Sequence, residues 1–136
     1  MGEVDFEAEL AALEEEETAR AVAEAAEKKK LRHKELTLVR EFSAKLGKRG
    51  VDFEVVPTPF DVFVVGVPDY IRYKQFLDKA GGDEAVEAAQ QFSASCMLTP
   101  VAEFNAIASK RPGVAVQTSN AAIELAGLLE KKRQKK

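Results

Sequence analysis

The stretch FDVFVVGVPDYIRYKQFLDKA, Phe60 to Ala80, decides the fold. Its first part, with Phe60, Val62, Phe63, Val64, Val65 and Val67, is almost wholly β-branched or aromatic, a composition that favours a buried pleated strand over a helix. Pro68 ends the pairing. Asp69 is placed to cap a new helix, and Tyr73, Phe76, Leu77 and Ala80 follow at the spacing of one apolar helix face. No catalytic group lies in the stretch, which points to binding rather than chemistry.

Working back from it, Pro57, Thr58 and Pro59 form a short connection of restricted flexibility, suited to a wide hairpin. Before it, Val51, Phe53 and Val55 alternate with Asp52 and Glu54, the period of a strand with one wet face. Two strands alone are marginal, so helices must cover their apolar face or another subunit must supply further strands. Gly47 to Gly50, GKRG, breaks whatever precedes them. From Glu3 to Leu46 there is neither proline nor glycine, and Ala, Glu, Lys, Leu and Arg dominate, which predicts one long helix with a possible break near Lys28. Leu10, Leu13, Ala19, Val22, Ala23 and Ala26 make a thin stripe on its first half. Leu31, Leu38, Val39, Phe42 and Leu46 give the second half a firmer face for docking. A long helix with so thin a stripe is explained by a partner helix or by a solvated arm.

Working forward, Gly81 and Gly82 stop the helix that begins at Asp69, and Asp83 is placed to cap the next. Ala85, Val86, Ala89, Phe92, Ser93, Cys96 and Met97 mark its buried face. Thr99 and Pro100 open a third helix as cap and first turn, with Val101, Phe104, Ile107 and Ala108 inward. Arg111-Pro112-Gly113 ends it, and a last helix runs from Val114 to Leu129 with Val116, Ala121, Ile123, Leu125, Ala126 and Leu128. The expected class is α+β, mainly α: a long N-terminal helix, a two-stranded β unit and a bundle of about four helices. The chain divides into a charged helical arm (1–50), a small α+β domain (51–128) and a basic tail (129–136).

The formal net charge of -3 hides alternating blocks. Residues 1–27 carry ten acids and one base, and residues 28–50 carry nine bases and two acids. This order complements the helix dipole, and it sets opposite charges together when two such helices pair antiparallel, a route to self-association. A hydrophobic content of 46% suffices for a core. The single cysteine excludes an intramolecular disulfide and a cysteine ligand cluster. The acidic N-terminus lacks a signal-peptide layout, and no apolar run approaches the roughly 18 residues of a membrane span, so the expected location is the cytoplasm.

Candidate chemistry is sparse. His33, between Arg32 and Lys34, reads as a surface histidine, and nothing in the spacing folds it against Ser93 or Ser95. Cys96 shares an apolar face with Phe92 and Met97 and reads as a small core residue. Asp83, Glu84 and Glu87 fit a capped first turn better than a metal or acid–base cluster. The glycines lack the pattern of a phosphate loop. Neither enzyme activity nor a metal or other cofactor is expected. The basic runs Lys28–Lys34 and Lys131–Lys136 have no interleaved aromatics for stacking, so nucleic acid is an unlikely partner.

The order VGVPDYIRYKQFLD, then CMLTP, then AEFNAIASKRPGVA and a helix ending ELAGLL resembles the tail assembly chaperones of long-tailed bacteriophages. The resemblance covers residues 51–128, and the long N-terminal helix has no counterpart in it. It implies a non-catalytic protein of the host cell cytoplasm that keeps the tape measure protein soluble while tail-tube protein polymerises around it. It also implies a longer frameshifted form in some members, and Lys131-Lys132 and Lys135-Lys136 suit slippery codons. Within the stretch that carries it best, Tyr70, Tyr73, Phe76 and Leu77 are the candidate partner-binding residues. The alternative is an adaptor that oligomerises through its N-terminal helix and touches nucleic acid with its basic tail. Exposure of Tyr70 or Tyr73 would mark the stretch as a binding surface as well as a core junction.

Overall fold

A computed structural model describes the backbone of residues 2–134 and the side chains of residues 6–127. Helix α1 (Gly2–Lys45) precedes strands β1 (Phe53–Pro57) and β2 (Val62–Gly66), which are followed by helices α2 (Tyr70–Lys79), α3 (Ala85–Cys96), α4 (Val101–Ala108) and α5 (Pro112–Gln134). The α+β, mainly helical architecture is therefore as expected. The helix α1 is unbroken at Lys28, because nothing in that region departs from strong helix formers. Helix α5 runs on through Gln134, into the segment expected to be a tail. Lys135 and Lys136 lie outside the described residues.

The two strands pair antiparallel, with Phe53 opposite Gly66, Val55 opposite Val64 and Pro57 opposite Val62. Strand β1 thus starts two residues later than the alternation predicts. Val51 is spent in the turn after α1, where its N–H and that of Asp52 donate to the Lys48 carbonyl. Gly47 and Gly50 both take positive φ there, and a Cβ on Gly47 would run into the Asp52 carboxylate. Strand β2 is trimmed at both ends: Phe60 and Val67 are exposed, and the guanidinium of Arg111 lies 5.1 Å from the Phe60 ring.

The sheet has no wet face. Phe53, Val55, Val62 and Val64 pack against Leu31, Leu38, Val39 and Phe42 of α1. Val56 and Val65 face Phe92, Ala122 and Leu125, while Phe63 faces Phe104, Ala108 and Val114. Burial on both faces is why β2 reads as a continuous apolar run with no polar alternation. The hairpin loop is organised by Thr58, whose Oγ1 donates to the Asp61 carbonyl at 2.6 Å and accepts from the N–H groups of Phe60 and Asp61. Asp61 in turn accepts from Lys34 of α1.

Both sheet edges are covered by short segments. On the β2 side the Leu98 N–H donates to the Val64 carbonyl, and Thr99 Oγ1 accepts from the Val64 N–H. Thr99 is therefore committed to the sheet and does not cap α4, whose N-cap is Pro100. On the β1 side the Gly50 N–H donates to the Phe53 carbonyl. Satisfying edge groups in this way removes a template for unwanted strand pairing.

Asp83 does not cap α3 either; turns through Gly82 carry the chain to Glu84, which makes no side-chain cap. The buried face of α3 is Ala88, Ala89, Phe92, Ser93 and Cys96, and Val86 is exposed. On α5 the inward residues are Val114, Ala115, Thr118, Ser119, Ala122 and Leu125, with Val116 outward. Ser93 and Thr118 are linked at 2.7 Å and both reach the Ala115 carbonyl, so the hydroxyls buried between α3 and α5 are satisfied.

The junction of α1 with the sheet carries one buried carboxylate. Glu35 is only 6% exposed and accepts from Arg32 at 2.9 Å and from Arg49 at 3.2 Å. Arg49 also holds Glu54 at 2.6 Å and the Val55 carbonyl at 3.0 Å. Partial burial pulls the Arg49 pKa down, but the hydrogen bonds and charges of Glu54 and Glu35 outweigh it and leave the pKa raised. The guanidinium thus stays charged and clamps α1 to β1.

Candidate functional site

Helix α2 starts where it should. Asp69 Oδ1 accepts from the Ile71 N–H at 3.1 Å, so one of the free donors at the helix start is satisfied. The helix is short, and no residue on it is fully buried. What holds it is aromatic: the Phe76 ring stacks on Phe92 of α3 at 4.6 Å and an interplanar angle of 13°. Tyr73 meets the same ring at 6.1 Å in a tilted arrangement. Both belong to the periphery of the core cluster formed by Val65, Phe92, Cys96 and Leu125.

The four candidate residues therefore divide. Tyr73 and Phe76 anchor α2, and Tyr70 and Leu77 face outward, 76% and 52% exposed. Leu77 was expected on the inward face with Phe76; it turns out because the single ring of Phe92 is narrow enough to be covered by two residues. Tyr70 and Leu77 are two turns apart on one line of the helix. Ile71, 62% exposed, widens this surface and was not among the candidates. Its signal was present: an isoleucine one position after Tyr70, off the predicted apolar face, has no core to enter. Three large apolar residues are thus left outward on a ten-residue helix: Tyr70 and Leu77 on one line, and Ile71 about 100° round the axis from it, with Lys74 and Asp78 between them.

The other candidate groups lie apart from one another. Between α2 and α3 a cavity of about 60 Å³, lined by Arg72, Phe76, Phe92 and Ser95 among others, is well below the size of a small-molecule site. Asp83, Glu84 and Glu87 are exposed, as is His33. Among the described residues no group of three or more His, Cys, Asp or Glu side chains is arranged to hold a metal, and no helix is long and apolar enough to cross a membrane.

Cys96 is buried on α3. Burial pushes its thiol pKa up, Ser95 opposes this through a contact at 3.7 Å, and the nearby Asp69 carboxylate adds to the rise. The thiolate is the reactive species, so Cys96 is expected to resist alkylation at neutral pH in the folded chain. Labelling followed by mass spectrometry should give a rate that rises at least tenfold when denaturant unfolds the domain. An equal rate in both states would mean that the thiol is accessible.

Comparisons of the chain with known protein families, with curated proteins and with solved structures return no match.

Proposed function

We propose that this chain is a non-catalytic assembly chaperone of the tail-chaperone kind, which holds apolar helical segments of a tape measure protein against the outer face of α2. The observation that carries the reading is the division of α2 into two apolar sides. Tyr73 and Phe76 are used by the core, and Tyr70, Ile71 and Leu77 are left for a partner. The resemblance over residues 51–128 supplies the identity of that partner and of the tail-tube protein that polymerises around it. An amphipathic helix laid along such a face reads as anchors at helical spacing, and a few large residues carry most of the affinity.

Co-expression with a tape measure protein is expected to raise the soluble yield of that protein and to allow the two to be purified together. The double variant Tyr70→Ala, Leu77→Ala should weaken the complex at least tenfold, about 1.4 kcal/mol or more. Its folding stability should change by no more than about 0.5 kcal/mol, because both side chains are outside the core. No association of the wild-type chain and no gain in solubility would refute the reading.

The projecting part of α1 favours the adaptor reading as far as oligomerisation is concerned. Residues 6–30 are exposed throughout. Its nucleic-acid component is read by a DNA mobility shift that weakens steeply with salt.

A further inference from the structure

Helix α1 leaves the domain at Leu31 and continues toward its N-terminus with every residue from Phe6 to Lys30 exposed. At 1.5 Å per residue this arm is about 37 Å long. A helix of that length with no tertiary contact is marginal by itself. Positions 6, 10, 13, 17, 20, 24, 27 and 31 alternate by four and three residues, so they form one stripe along it. The stripe continues the face whose Leu38 and Phe42 pack on the sheet.

The stripe is apolar at its outer end and at Leu31, with Glu17, Arg20, Glu24 and Glu27 between them. At the outer end Phe6, Leu10 and Leu13 are exposed large apolar side chains. At the inner end the helix and the hairpin tip enclose a cleft of about 640 Å³, lined by Arg20, Glu24, Lys28, Leu31, Pro57 and Pro59 among others, where the exposed surface is mostly that of apolar atoms. Acids flank the outer end, as Glu7 and Glu9, and bases flank the inner end, as Lys28 and Lys30. Lys30 has only a loose surface contact with Glu27 at 3.6 Å, so it is free to take another partner.

We propose that the cleft is filled by a second copy of this chain, two α1 arms pairing antiparallel about a two-fold axis between Thr18 and Ala19. In this register the stripe maps onto itself, with Leu10 opposite Glu27 and Leu13 opposite Glu24, so the apolar contact is confined to Phe6 and Leu31 and the charge pairs carry the register. Phe6 of one chain meets Leu31 of the other beside the prolines of the hairpin tip, and Glu17 meets Arg20 at the centre. Glu7 and Glu9 come beside Lys28 and Lys30 of the second copy, and symmetry repeats each pair. No like charges face one another between positions 6 and 31. Parallel pairing sets the acidic blocks against each other. An antiparallel register one heptad shorter puts Glu14 opposite Glu16. One heptad longer drives Phe6 to Leu38, whose face already packs on Val55, Val62 and Val64.

The proposal concerns α1 and is independent of binding by α2, so either can fail alone. Sedimentation velocity at low ionic strength is expected to give the mass of a dimer for the full-length chain, with dissociation favoured as salt is added. The variants Glu7→Lys with Glu9→Lys, and Lys28→Glu with Lys30→Glu, should each associate at least about tenfold more weakly, since attraction becomes repulsion at both ends. An equimolar mixture of the two should recover the wild-type dimer, because opposite charges face again. Unchanged far-ultraviolet circular dichroism will show that the exposed substitutions leave the helix intact. A wild-type chain that stays monomeric at every soluble concentration would leave the cleft to another chain's helix and overturn the proposal. Variants that dimerise as well as the wild type, or a mixture that stays monomeric, would overturn it too.

Discussion

Replacing Phe63 by alanine is expected to cost about 3–5 kcal/mol of folding stability, the range for a large aromatic removed from a tight core. Phe63 is 1% exposed and sets its ring edge-on to Phe104 at 5.5 Å and 87°. Its other neighbours in that cluster include Ala89, Ala108 and Ala115. Alanines have no longer rotamer with which to fill the space, so the cavity persists and its cost is added to the lost burial. The position also matters topologically, since Phe63 is where β2 meets α4 and the start of α5. A typical domain has only about 5–15 kcal/mol in total. The urea midpoint of Phe63→Ala should therefore fall steeply at nearly unchanged slope. Phe63→Leu, which keeps most of the volume, should lose far less. A loss below about 1 kcal/mol for the alanine variant would show that the cluster around Phe104 is not a close-packed part of the core.

The strand at Val62–Gly66 was legible in the sequence because its signal is compositional: valines and phenylalanines without polar interruption describe a strand covered on both sides. Strand β1 starts two residues later than the alternation predicts because the alternation Val51, Phe53, Val55 is also what a turn followed by a strand produces. Only Val56, apolar where a wet face demands a polar residue, marks the difference, and its partner face belongs to α5, sixty residues further on. The caps at Asp69, Asp83 and Thr99 show the same limit. Asp69 satisfies a neighbouring N–H, a local event that local sequence predicts. Thr99 is drawn away by Val64 across the fold, and nothing near residue 99 announces it. Glu35 is the extreme case. Within its own helix it looks like any solvated glutamate, and its burial follows only once Arg49 has folded back over it. On α1 the docked half was legible from Leu31, Leu38, Val39 and Phe42. The division of the candidate site into anchors and outward residues was not, since periodicity gives a face but not its width.

Phe92→Ala is expected to cost a further full-sized loss, about 3–5 kcal/mol, and to act on the proposed binding surface as well. Phe92 is 3% exposed and is the one ring on which both Tyr73 and Phe76 rest. Because α2 buries no residue of its own, removing that ring takes away the aromatic stacking on α3 and leaves Phe76 its contact with the cluster around Ala89 and Phe63. Two measurements separate the consequences. Native-state hydrogen exchange should show the amides of α2 losing protection at denaturant concentrations where α3 and α5 are still protected. Binding of the apolar partner should weaken together with that protection, since Tyr70, Ile71 and Leu77 are presented only while α2 is helical and docked. The contrast with Tyr70→Ala is the informative one: that change removes an outward ring and should leave exchange untouched while weakening binding. If Phe92→Ala leaves the protection of α2 unchanged, the stacking on Phe92 does not hold the helix. If it abolishes protection and binding persists, the partner does not use the ordered face of α2 at all.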